Sequence, residues 1–75
     1  MLFLVQFSHD EAVFLVEADD EVAATARFLE NRKKAGAWPA MLEEAADQGD
    51  DVEALVWARP VVLDDGVAML PVGEA

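Results

Sequence analysis

The chain has 75 residues, which is enough for one small domain with a thin hydrophobic core. Hydrophobic residues make up 55% of the sequence, a share too high for a disordered acidic chain and typical of a compact fold. Sixteen acidic residues against five Lys and Arg give a formal net charge of −11, which argues against direct binding to the phosphate backbone of DNA or RNA.

The sequence contains no cysteine, so no disulfide can brace the core. We therefore expect a fold that depends on packing, on burial against a partner, or on both, in a reducing compartment such as the cytoplasm. The apolar segment 1–7 is short, has no basic leader and ends without a small-residue cleavage site. We predict neither a signal peptide nor a membrane span from it.

Residues 1–17 predict a β-hairpin, because two runs rich in β-branched and aromatic residues flank the polar connection SHDE. A pairing of Phe7 with Ala12 would set the register and therefore the two faces. One face then carries Phe3, Val5, Phe7, Ala12, Phe14 and Val16, and the other carries Leu2, Leu4, Gln6, Val13, Leu15 and Glu17. Both faces are apolar, so we predict that both are covered, by one helix each, by curling of the sheet or by another protein.

Residues 18–36 carry the clearest helix signals in the chain. Asp19 or Asp20 is the expected N-cap, three basic residues at 32–34 favour the C-terminal end of the helix dipole, and Gly36 is the expected terminator. The stripe predicted to lie on the sheet consists of Val22, Thr25, Ala26, Phe28 and Leu29.

The second half of the chain predicts a shorter helix and three strands. The helix would run from Pro39 to about Asp47, and segment 52–58 would form a strand with Trp57 in the core. Segment 61–70 predicts a hairpin that turns at Asp65 and Gly66. Pro71 would end the pattern, and 72–75 would be a loose tail.

These elements together predict one domain over residues 1–75 with an α+β fold. The expected order is β-β-α-α-β-β-β, with a small antiparallel sheet on which one long and one short helix pack.

The stretch EEAADQGDDVE, residues 43–53, contains six carboxylates in eleven positions and no basic residue. Our functional hypothesis is that these carboxylates contact a basic surface on a partner protein, one that normally grips nucleic acid. The proposed partner-binding residues are Glu43, Glu44, Asp47, Asp50, Asp51 and Glu53, with Trp38 as an aromatic anchor.

Two other interpretations of the acidic stretch stay open. The carboxylates can be a solvated face that serves solubility or high-salt conditions. Alternatively, the cationic residues Arg27, Arg32, Lys33 and Lys34 fold close to the stretch and partly neutralise it.

No catalytic or metal signature stands out. The segment DQGDDVE lacks the ligand alternation, the glycine position and the distant glutamate of an EF-hand loop. His9, the sole histidine, stands beside Asp10 and Glu11 and could act as an acid-base group, but a lone histidine in a hairpin loop is not a catalytic set, and without cysteine a structural zinc site is not expected. We therefore predict that the protein is not an enzyme and uses no cofactor or metal.

The apolar hairpin offers a second kind of interaction. Leu2, Leu4, Val13 and Leu15 would be buried if a second copy of the chain, or another protein, covered their face. This alternative predicts a homodimeric structural or interaction subunit.

Size, acidity and the lack of cofactor signals together favour a small inhibitor. The hypothesis is a protein that blocks nucleic-acid-handling machinery, as phage inhibitors of restriction or CRISPR complexes do. Immunity proteins and antitoxins that neutralise a toxin have the same character and are the further alternative. This is an analogy of composition and size, since no motif of these families is present.

Overall fold

The computed structural model describes residues 1–8, 10 and 12–69 and confirms the predicted α+β class and order of elements. The elements are β1 (Leu2–Phe7), β2 (Phe14–Glu17), α1 (Glu21–Lys34), α2 (Trp38–Gln48), a 3₁₀ helix (Val52–Leu55), β3 (Val56–Pro60), β4 (Val62–Asp64) and β5 (Val67–Met69). The five strands form two sheets, one with the order β2-β1-β3 and one consisting of β4 and β5.

Strand β1 is the centre of the three-stranded sheet and pairs antiparallel with both neighbours. Val5 pairs with Phe14 and Phe3 pairs with Val16, which are the pairs that the predicted hairpin register requires. On the other side, Val5 pairs with Ala58 and Gln6 with Trp57. The pairs between β1 and β2 are the ones expected when the four-residue connection SHDE pairs Phe7 with Ala12.

Both helices pack on the same face of this sheet, so the alternative in which each helix covers one face of the hairpin is wrong. The core on that face consists of Phe3, Val5, Phe7, Val16, Ala24, Phe28, Met41, Ala45, Val52 and Ala58. Ala12, which the predicted register also assigned to this face, is exposed. Neither α1 nor α2 lies above the opposite face, and the described residues contain no other α-helix.

Helix α1 begins as predicted but is rotated relative to the predicted stripe. The Asp20 side chain accepts a hydrogen bond of 2.8 Å from the Ala23 amide, and Gly36 follows the helix with a φ of 81°. Ala24 and Phe28 are the buried residues, whereas Val22 is 80% exposed and Ala26 is also exposed. The large Phe28 ring determines which side faces the sheet, and the small Ala24 one turn earlier lets the helix approach closely.

Helix α2 is one residue longer at each end than predicted, and the segment after it differs from the prediction. Met41 and Ala45 face the core, and Gly49, with a φ of 73°, ends the helix. Residues 52–55 form the 3₁₀ helix rather than the start of a strand, and Val52 is buried there. In this 3₁₀ turn Val52 packs against the core. The predicted continuous strand over 52–58 did not include such a turn.

The β4–β5 hairpin stands apart from the three-stranded sheet. Val61 donates a backbone hydrogen bond of 2.8 Å to Leu2, and β4 begins at the next residue. Asp65 and Gly66 both have positive φ, 55° and 80°, which is the geometry of a type I′ turn and confirms the predicted turn. The molecule measures 42 × 25 × 18 Å.

Several predictions fall on residues that the structure does not describe. Pro71 and the proposed tail at 72–75 lie outside the described residues, as do His9 and Glu11 in the first connection. Neither α1 nor α2 combines the length and the apolar composition that a helix needs to cross a bilayer.

Candidate protein-binding surfaces

The six carboxylates of segment 43–53 form what we call the acidic surface. Its members are Glu43, Glu44, Asp47, Asp50, Asp51 and Glu53, and each is exposed. The first three belong to α2, the next two to the turn that follows, and the last to the 3₁₀ helix. The structure therefore brings all six to the surface along one continuous piece of chain.

The orientation of α2 explains this exposure. Met41 and Ala45 lie on the core side of the helix, so Glu43 and Asp47 fall on the outward side. Among contacts within residues 1–8, 10 and 12–69, only Glu44 of the six accepts a side-chain hydrogen bond, 2.6 Å long, from the Gln48 amide, which also donates 2.9 Å to the Ser8 hydroxyl. The carboxylates are thus presented to solvent rather than used to hold the fold together.

The C-terminal end of α2 concentrates negative charge where it is least favourable. Its last carbonyls accept from the amides of Gly49 and Asp50, and the last turn contains no basic residue. Asp47 lies in that turn, close to the negative end of the helix dipole. The charge of Asp47 is therefore unfavourable at this position, by a few tenths of a kcal/mol to about 1 kcal/mol.

The described part of the chain contains one ion pair, and it is not in the acidic surface. The Met1 ammonium lies 3.2 Å from a Glu17 carboxylate oxygen, and both groups are exposed. Three of the five cationic side chains instead lie over aromatic rings: Arg32 is 4.4 Å from the Phe14 centroid, Lys33 is 4.5 Å from that of Trp38 and Arg59 is 5.3 Å from that of Trp57. The hypothesis that the cationic residues pair with the acidic stretch finds no ion pair in the described residues.

Trp38 lies apart from most of the acidic surface. It is the first residue of α2, is half-buried against the core, and has Lys33 above its ring. Asp47 is nine residues further along the same helix, which corresponds to roughly 14 Å of axial rise. The structure brings the carboxylates together but places the proposed aromatic anchor at the other end of the helix.

The acidic residues do not converge on a point. Among residues 1–8, 10 and 12–69, no three His, Asp or Glu side chains are arranged so that they can hold a metal ion. The acidic surface thus has the geometry of an extended contact area.

The second candidate surface is the face of the three-stranded sheet opposite the helices, which we call the open face. By the alternation of the strands, it carries Leu2, Leu4, Gln6, Leu15, Glu17, Trp57 and Arg59. Leu15 is 61% exposed, whereas Leu4 is only 8% exposed because Leu15 and Arg59 flank it on the two neighbouring strands. Val13, just before β2, is exposed as well.

Trp57 is half-buried on this open face, so its predicted place in the core is wrong. The guanidinium of Arg59 covers part of its ring, two residues further along the same strand. Sequence reasoning missed both residues as members of the open face. The alternation of side chains along β3 puts Trp57 and Arg59 on the same face. Only the pairing of β3 with β1 shows that this face is the open one.

The β4–β5 hairpin is the third apolar surface, and sequence reasoning did not single it out. Val62, Leu63 and Val67 are all more than half exposed. A two-stranded hairpin is at best marginally stable on its own in water. Within the described residues, three large aliphatic side chains are therefore exposed on a small element.

A shallow groove of about 230 Å³ runs between β2 and α1. Phe14 and Phe28 form part of its lining, with their ring centroids 5.2 Å apart, and Glu17, Arg27 and Asn31 are its polar members. The groove is open to solvent, and its polar side chains are one acidic, one basic and one neutral residue.

Comparison of the chain with protein family models, with curated proteins and with solved structures finds no match.

Proposed function

We propose that this chain is a small acidic binding protein whose acidic surface docks on a basic surface of a target protein and blocks it. A target surface that normally binds nucleic acid fits best, because it already presents the positive potential that the carboxylates require. This is the mode of action expected of an inhibitor of restriction or CRISPR complexes, acting in the cytoplasm of the producing or infected cell.

One observation carries the proposal: six exposed carboxylates lie on one continuous segment with no ion pair to any described cation. Like charges one turn apart on a helix repel, and a negative charge near a helix C-terminus is unfavourable, each by a few tenths of a kcal/mol to about 1 kcal/mol. A basic partner relieves both costs on binding. The free protein therefore keeps an electrostatic strain that complex formation removes.

The placement of the cations supports the same proposal. Arg32, Lys33 and Arg59 lie over aromatic rings rather than beside carboxylates. Here the positive charges are directed elsewhere, and the negative potential of the acidic surface is left intact.

Affinity capture with matched charge variants tests the proposal. One variant neutralises Glu43, Glu44, Asp47, Asp50 and Asp51 to the corresponding amides. The control neutralises five other exposed acidic residues: Asp10, Asp19, Glu21, Glu30 and Asp65. Both variants lose the same number of charges, so they differ only in where the charge is lost.

The expected result is that the wild-type chain and the control variant retain the same partner from native host or phage-infected extract, and that the acidic-surface variant loses it. If both variants retain the partner equally, the acidic surface serves solubility or high-salt conditions and the proposal fails. If both lose it equally, net charge alone explains the binding and the localised mechanism fails.

A second candidate function is self-association as a structural or interaction subunit, favoured by the open face. Leu2 and Leu15 on that face and Val13 beside it are exposed, so a second copy would remove them from water. Leu4, the fourth residue proposed for this contact, is already buried by its neighbours and would add little area. An immunity or antitoxin function requires the same acidic contact as the first proposal, with a toxin as the basic target.

A further inference from the structure

We propose that two copies of the chain associate reciprocally, with the β4–β5 hairpin of each copy packed on the open face of the other. This inference deepens the self-association described above and is independent of the acidic surface. It specifies that the contact joins two different surfaces of each copy rather than two open faces.

The hairpin and the open face are each incomplete alone. The open face has exposed Leu2 and Leu15 around the half-buried Trp57, with no helix above it. The hairpin exposes Val62 and Val67, which lie on one of its faces with Asp64 between them in the register. Each surface is a single apolar layer, whereas a domain core consists of two layers packed against each other.

The two surfaces are also complementary in charge. Among the described residues, Arg59 is the one cationic side chain on the open face, and the carboxylate of Glu17 on that face is already paired with the Met1 ammonium at 3.2 Å. The hairpin carries Asp64 and Asp65 beside its turn and no Lys or Arg. A hairpin seated on the open face of another copy can place a carboxylate against that guanidinium. This ion pair fixes how the hairpin is oriented on an otherwise apolar surface.

The geometry of the fold keeps the acidic surfaces apart in such a dimer. Both helices lie on the face of the sheet opposite the open face, and the carboxylates of α2 point outward from that layer. Contact through the open faces therefore puts the two acidic surfaces on the outside of the assembly. Each copy has a formal charge of −11, and the resulting repulsion is weaker in this dimer than in a dimer formed through the helices.

The available area predicts a reversible dimer. The exposed parts of five large aliphatic side chains, Leu2, Val13, Leu15, Val62 and Val67, amount to on the order of 260 Å² per copy, at roughly 100 Å² for a fully exposed side chain. Because interfaces are roughly 60% apolar, this corresponds to roughly 900 Å² in total, the size of a weak and transient complex. We expect a dissociation constant in the micromolar range.

The first test is sedimentation velocity of the wild-type chain and three variants from about 1 to 100 µM. Leu15→Glu places a charge on the open face, and Val67→Glu places one on the hairpin, and each should weaken the dimer at least about tenfold. Val22→Glu is the matched control, since Val22 is 80% exposed on α1 and belongs to neither surface. Circular dichroism checks that all variants keep the helical signal of the wild-type chain.

Mixing the two weakened variants distinguishes the reciprocal arrangement from a face-to-face one. A Leu15→Glu chain has an intact hairpin and a Val67→Glu chain has an intact open face, so the mixture should form a dimer with one intact contact. Each variant alone has no intact contact. A face-to-face dimer would instead leave Val67→Glu dimeric, and that result would overturn the proposal.

A charge exchange tests the orientation. Arg59→Asp and Asp64→Arg should each weaken the dimer, and the chain that carries both changes should recover at least part of the affinity. A wild-type chain that stays monomeric at 100 µM would overturn the inference. Such a monomer could still bind a basic target through its acidic surface, so failure here and failure of the proposed function give different results.

Discussion

The guanidinium carbon of Arg32 lies 4.4 Å from the centroid of the Phe14 ring, across the boundary between α1 and β2. The same group is 6.0 Å from the Phe28 centroid and donates to the Asn31 side chain. Arg32 therefore holds the last turn of the helix against the edge strand of the sheet. A cation that serves the fold in this way is not available to neutralise the acidic surface.

Replacing Arg32 should cost stability although the residue forms no ion pair in the described structure. We expect Arg32→Gln to lower the free energy of unfolding by about 1 kcal/mol through loss of the contact with Phe14. Lys34→Gln is the matched control, because Lys34 is exposed and its replacement removes the same charge from the same helix end. Urea denaturation measures both, and equal losses in the two variants would show that helix-end charge rather than the aromatic contact matters.

The rotation of α1 gives a second prediction about stability. Phe28→Leu should destabilise the protein by about 1–3 kcal/mol, since Phe28 is 2% exposed and contacts Phe14 in the core. Val22→Ala should change the unfolding free energy by less than about 0.5 kcal/mol, since Val22 is exposed. If Val22→Ala proved the more damaging, the helix would face the sheet as the sequence pattern predicts.

Opposite ends of the two helices provide a matched pair of charge reversals. Asp47→Lys places a cation at the C-terminal end of α2 and should raise stability by about 0.5–1 kcal/mol, whereas Glu21→Lys places one at the N-terminal end of α1 and should lower it by a similar amount. Both variants change the net charge equally. Thermal unfolding distinguishes them, and two shifts of the same sign would mean that net charge outweighs the helix dipoles.

At position 47 of the acidic surface, we expect the native aspartate to lower stability and to favour target binding. Asp47→Lys, the more stable variant, should also bind the captured target more weakly, because it replaces an attraction with a repulsion. Glu21→Lys should leave target binding almost unchanged. Binding that is unaffected by Asp47→Lys would remove this residue from the proposed contact.

The turn of the β4–β5 hairpin offers a test that is separate from the main core. Gly66 has a φ of 80°, and no atom lies near enough to clash with an added Cβ. Gly66→Ala should therefore act through backbone strain alone, at about 1–2 kcal/mol, and weaken the proposed dimer by about tenfold. Gly66→Asn should be better tolerated, since Asn adopts this conformation more readily. Equal dimer affinities for the Ala and Asn variants would argue against a structured hairpin at the interface.

Local patterns predicted much of this fold. The length of the connection SHDE set the register of β1 and β2, the carboxylate of Asp20 marked the start of α1, and Asp65-Gly66 marked the second hairpin turn. Each of these depends on residues close together in the sequence.

The features that sequence reasoning missed depend on distant parts of the chain. Trp57 is on the open face because β3 pairs with β1 in a register that only the assembled sheet defines. Both helices share one face of the sheet, which no periodicity within either helix specifies. The exposure of the acidic residues followed from their charge, but their lack of ion pairs depended on where Arg32, Lys33 and Arg59 found aromatic rings.

The association rate constant of the captured target, measured between about 0.05 and 0.5 M NaCl, tests the central claim most directly. For the wild-type chain and for the control with Asp10, Asp19, Glu21, Glu30 and Asp65 neutralised, the rate should fall at least about tenfold across this range. For the variant neutralised at Glu43, Glu44, Asp47, Asp50 and Asp51, it should start low and change little. A rate that is equally salt-dependent in both variants would contradict docking through the acidic surface.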